Sequence, residues 1–151
     1  MSMLAAIRPD DWNFPLFLHV LGAMILVGGV LTGATALALA RGSANMLRTG
    51  YYSLLAVALP GFILMRVGAA WIADKEGVDD ENSGAWVGIG FIVADPGGLL
   101  LVISLILGGA GVYRLRNGKG TRLLKATMVI SVVLLVAYLV AVWAMTAKPD
   151  A

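Results

Sequence analysis

FPLFLHVLGAMILVGGVLTGATALALA, residues Phe14 to Ala40, decides the fold. In 27 residues it holds a single ionisable group, His19. A helix needs about 20 mostly apolar residues to cross the hydrocarbon core of a bilayer. This run meets that length with residues to spare. Asp10 and Asp11 precede it and no small-residue cleavage site closes a short apolar core, so the stretch reads as a permanent span rather than a secretory signal.

Three more runs of the same kind follow. The second is Tyr51 to Ala73, the third lies within Trp86 to Tyr113, and the fourth is Leu123 to Met145, extending to residue 146. The chain of 151 residues is 60% hydrophobic and 13% charged. Soluble domains carry about 25% charged residues, so the bilayer has to act as part of the solvent. The expected fold is all-α: one domain over residues 1–151, an integral membrane antiparallel four-helix bundle. The third helix is expected to break near Asp95-Pro96, with Asp95 as N-cap, Pro96 at the first helical position and a span over 96–113. Pro60-Gly61 is expected to bend the second.

The connections set a direction. Residues 41–50, RGSANMLRTG, carry Arg41 and Arg48 and no acid. Residues 114–125, RLRNGKGTRLLK, carry five basic residues and no acid, while residues 74–84, DKEGVDDENSG, carry five acids and one lysine. Basic loops stay cytoplasmic. The first and third loops are therefore expected inside, the second outside and both termini outside. Trp12, Trp71, Trp86 and Trp143 fall at the outer ends of the spans, and Tyr51, Tyr52 and Tyr113 at the inner ends, as interfacial aromatics do.

The absence of cysteine removes disulfides, thiolate metal sites and thiol nucleophiles, and a single histidine removes any two-histidine site within one chain. Ionisable groups inside spans are expensive and mark candidate sites. His19, Arg66 and Asp95 lie one on each of the first three helices, and Tyr138 lies on the fourth. At about 1.5 Å per residue, all four fall in one layer in the outer half of the bundle. An Arg66–Asp95 ion pair is the simplest way to lower their cost; with Tyr138 it defines the expected polar layer or pocket. Gly22 and Ala23 share the helical face of His19, which suits a flat cofactor with His19 as axial ligand.

The stretch Phe17-Leu-His19-Val-Leu-Gly22-Ala23, followed by Val27-Gly28-Gly29, resembles the first helix of small bacterial four-span integral membrane proteins of unknown function. More distantly it resembles the copper-resistance-D-like membrane domain and the small haem-associated protoporphyrinogen oxidase. The likeness covers about 15 residues of the 151 plus the four-span plan. It implies a bacterial plasma-membrane location and carries over His19 as a candidate haem b ligand.

Three functions follow as expectations. The first is a non-enzymatic accessory or assembly subunit of a membrane complex, or a lipid-binding protein. The second is a haem-binding redox protein using His19, and the third a small transporter using the Arg66–Asp95 layer. The expected partners are membrane lipids and other membrane subunits or a second copy of the chain. Nucleic acid is not among them, because the basic loops are short and explained by topology.

Overall fold

The computed structural model of the chain describes residues 13–76 and 85–147. Among these, five α-helices and one π-helical turn are present: α1 (Asn13–Leu39), α2 (Ala44–Ser53), the π turn (Leu54–Ala58), α3 (Leu59–Glu76), α4 (Ala85–Leu115) and α5 (Thr121–Ala147). The segment α2–π–α3 runs on as one helical rod, so the chain forms four helices, each long and apolar enough to cross a membrane. That points to a multi-pass membrane protein. The amino-terminal residues up to Trp12 and the acids Asp79, Asp80 and Glu81 of the second connection lie outside the described residues.

The exterior differs from that of a soluble bundle. Large apolar groups point outward: Phe17 and Met24 on α1, Leu99 and Ile106 on α4, and Val133, Val136 and Leu139 on α5. The interior is filled by leucines, among them Leu26, Leu54, Leu101, Leu124 and Leu134, with Ser104, Thr127 and Ser131 also fully buried. The buried threonine and serine hydroxyls on α5 each have a nearby carbonyl. Thr127 donates to Leu123 O at 3.0 Å, with Ser104 O at 3.4 Å, and Ser131 donates to Thr127 O at 2.8 Å. In lipid the apolar exterior costs nothing, and close packing of small residues holds the helices together.

α1 packs on the α2–π–α3 rod through glycines. A Cβ on Gly22 would lie 2.2 Å from the Met65 amide nitrogen, and one on Gly29 2.5 Å from that of Ala58. From the other side, a Cβ on Gly61 would lie 2.5 Å from Leu26 N and one on Gly68 2.5 Å from His19 N. These backbones touch directly, and only glycine allows it. Nearer the α1–α2 turn the nearest atoms are leucine side chains instead: Leu54 against Gly33 and Leu37 against Gly50. α1 also packs on α5, and α5 on α4. Between α4 and the rod the seam is thin, closed by aromatic rings seated on glycines. Phe62 meets Gly98, and Tyr51 meets Gly108 and Gly109.

Three expectations are corrected. The first basic connection is short. Chain reversal takes only Ala40 to Ser43, with Arg41 (φ 43°) and Gly42 (φ 88°) in the left-handed region. Ser43 then caps α2, its hydroxyl facing the Met46 amide at 3.5 Å. The second helix therefore starts at Ala44, not Tyr51, and Arg48 lies on it.

Pro60 does distort the rod, but one turn earlier than a simple bend. Its missing N–H leaves a carbonyl on the preceding turn without a helical donor. The turn widens, and Leu59 N–H bonds to Leu54 O, five residues back.

The third helix is not broken. α4 continues through Pro96 from Ala85 to Leu115, so there is no short dipping segment and Asp95 is not an N-cap. Pro96 is exposed, while Gly97 and Gly98 seat Tyr138 and Phe62 immediately after it. Packing from two neighbours holds the helix through the one lost hydrogen bond. Pro is tolerated in this way in membrane helices.

Candidate functional site

The polar layer is built from α3 outward. Gly68 has no side chain, so α1 can lie against it. A Cβ there would also come within 2.8 Å of Pro15 O and of His19 Cα. At this approach the His19 ring reaches across, and Nδ1 lies 3.0 Å from Met65 O. A carbonyl can only accept, so Nδ1–H is the donor in this bond and Nε2 is left out of it. The next residue along α3, Arg66, points about 100° further round the helix and meets Asp95 Oδ1 on α4 at 2.8 Å. Two consecutive residues thus tie α3 to two different neighbours.

On α4, the residue two beyond Asp95 makes the third link. A Cβ on Gly97 would lie 3.1 Å from the Tyr138 ring and 3.3 Å from its hydroxyl oxygen. Tyr138 is buried, and its hydroxyl has no hydrogen-bond partner. It therefore joins the layer through its ring rather than through a bond to the ion pair.

His19 contacts the Met65 carbonyl, Arg66 and Asp95 are paired, and Tyr138 stands against Gly97, so contacts between neighbouring helices link the four residues into one layer. On the Gly22 side, the space expected beside His19 is taken up by the Met65 backbone. The ion pair sits on the perimeter of the α3–α4 seam, with 39% of the Arg66 side chain and 63% of the Asp95 side chain exposed. Among the described residues no group of three His, Asp or Glu side chains is placed to hold a metal ion.

The opposite end of the bundle contains a feature the sequence reading did not anticipate. A cavity of about 300 Å³ opens between the α1–α2 turn and the first turns of α5. Arg41 and Lys125 stand at it, and its apolar lining includes Leu37, Leu47, Leu124 and Met128. Among the described residues, none of the cations at this end forms a salt bridge with a carboxylate.

Two further contacts escaped the sequence reading. Ser53 donates to Gly29 O at 3.0 Å across the α1–rod seam. Tyr51, expected at an interface, is half-buried as a wedge against Gly108 and Gly109. The available signal was glycine spacing. Gly22 and Gly29 are seven apart, as are Gly61 and Gly68, and a seven-residue repeat marks a helix face in steady contact with another. No family model, curated protein or solved structure matches this chain.

Proposed function

We propose that this chain is an antiparallel four-span membrane protein with both termini outside the cytoplasm, and that it serves as a non-enzymatic assembly or accessory subunit. The order of the α1–rod contacts, in which higher numbers on α1 meet lower numbers on the rod, supports the antiparallel arrangement. The charge of the connections supports the orientation.

The observation that carries the assembly reading is the exposure of the Arg66–Asp95 pair. Asp95 lies ten residues into α4, about 15 Å along the helix. A charged pair at that level costs free energy if its open side meets lipid. A polar surface on a second subunit, or on a second copy of this chain, covers that side and removes the cost. The test is the native mass of the protein extracted from its own membrane in mild detergent. The wild type is expected in an assembly larger than one chain, and Asp95→Asn with Arg66→Gln is expected to shrink it. A wild-type monomer, or an assembly indifferent to the double substitution, counts against the proposal.

One observation favours a second reading, haem binding through His19. Axial histidines commonly donate their other ring N–H to a backbone carbonyl, and His19 Nδ1 has that bond. Nε2 would be the ligand, with a second copy supplying the opposite side. A Soret band in the purified protein, abolished by His19→Ala, is the expected result of this reading. A fully folded but colourless protein would end it.

A further inference from the structure

We infer that the cavity between the α1–α2 turn and the start of α5 is a discrete site for one anionic phospholipid, whose phosphate sits between Arg41 and Lys125. The inference rests on the membrane reading above and adds a ligand class and a location to it.

Three observations carry it. The first is charge. Segments 41–50 and 114–125 hold seven basic residues and no acid, and among the described residues none of them forms an ion pair. Uncompensated cations beside an apolar surface suit a ligand that is anionic at one end and apolar at the other.

The second is shape. About 300 Å³ is at the lower limit of small-molecule sites, enough for a headgroup or the first part of an acyl chain. The lining divides in the same way as the ligand. Arg41 and Lys125 are exposed, whereas Leu37, Leu47 and Leu124 are buried and Met128 is half-buried. Lys125 and Met128 are one turn apart on α5, so the chemistry changes from cationic to apolar within about 5 Å of helix.

The third is the backbone at Arg41. Its φ of 43° lies in the left-handed region, where a non-glycine side chain costs about 1–2 kcal/mol. Glycine fills the second left-handed position of the turn, Gly42 (φ 88°), and the cation stands at the first. Gly42 has open space where a Cβ would be, so the turn leaves the cavity mouth clear.

A lipid headgroup and free phosphate share the same anion chemistry, and the apolar lining favours the lipid. The experiment uses the full chain in nanodiscs of phosphatidylcholine with a minority of phosphatidylglycerol, with retained lipid counted by native mass spectrometry. The wild type is expected to hold one phosphatidylglycerol per chain in preference to phosphatidylcholine. Arg41→Gln with Lys125→Gln is expected to weaken retention about 30-fold, the effect of two cation contacts. Arg48→Gln with Arg116→Gln changes the net charge equally away from the cavity and is expected to weaken retention less than threefold. Met128→Trp, which fills the lining without changing charge, is expected to abolish it.

Equal losses in the two charge variants would mean a diffuse surface field and would overturn the site. So would full displacement by millimolar inorganic phosphate, which would identify a free-anion site. A wild-type protein that is folded in the disc but shows no lipid preference would overturn the site alone. Failure of the wild type to enter the disc would instead overturn the membrane reading and this site with it.

Discussion

The polar layer and the basic end of this bundle solve opposite problems. In the layer, helix backbones touch through Gly22, Gly61 and Gly68, the His19 ring is bonded to Met65 O, and Arg66 is paired with Asp95. Its polar groups, apart from the Tyr138 hydroxyl, are used within the chain. At the basic end the nearest contacts are leucine side chains, a cavity opens, and the cations pair with no carboxylate among the described residues. Polarity alone therefore does not locate a ligand site. Where charges have found each other they hold helices together, and where they have not they are available to something else.

The largest expected effect lies in the layer. Gly22→Ala puts a methyl group on the Met65 backbone. A backbone cannot rotate away, so α1 must leave the rod. We predict a loss of at least about 3 kcal/mol, the upper range for overpacking, read as a large fall in Tm in detergent. Gly50→Ala at the basic end meets the Leu37 side chain at 2.7 Å, with the Gly33 carbonyl close behind. Leu37 can shift its rotamer, so the expected cost is smaller, about 1–2 kcal/mol. Equal losses at the two positions would remove the packing half of the contrast.

The ion pair comes next. Arg66→Gln leaves Asp95 with no partner at membrane depth and is expected to cost about 1–2 kcal/mol, less than an unpaired carboxylate at the bilayer centre. Adding Asp95→Asn should restore part of that loss, because the unpaired carboxylate is gone. A double variant less stable than the single by the full additive amount would mean the two groups act independently. The smallest expected effect is Gly28→Ala. Nothing lies within 4 Å of a Cβ there, while alanine favours the helix by about 1 kcal/mol over glycine. Stability should stay level or rise slightly, in contrast to a clear loss for Gly29→Ala one residue on.

Much of this was legible in the sequence, for physical reasons. Four long apolar runs are strong signals, because length and composition alone make a helix able to cross a bilayer. The Arg66–Asp95 pair was legible because two isolated opposite charges at matching depth have few other ways to reduce their cost. The continuity of α4 was not. Asp95-Pro96 carries the local signature of a helix start, and only the seating of Tyr138 and Phe62 on Gly97 and Gly98 overrides it. The His19 bond was also hidden, because its acceptor is a backbone carbonyl that every residue possesses. The cavity depends on where the α1–α2 turn meets α5, a long-range placement that no local pattern encodes.

The contrast between the ends has functional meaning only if the basic end lies in the cytoplasm and the polar layer toward the outside. The chain has no cysteine, so single substitutions report cleanly. Asn45→Cys, in the first turn of α2, and Asn117→Cys mark the basic end, and Ser83→Cys marks the acidic connection. Intact cells are treated with a membrane-impermeant maleimide, and the same variants are labelled again after permeabilisation. We predict that only Ser83→Cys reacts in intact cells and that all three react once the membrane is opened. Labelling of Asn45→Cys or Asn117→Cys in intact cells would contradict the proposed orientation.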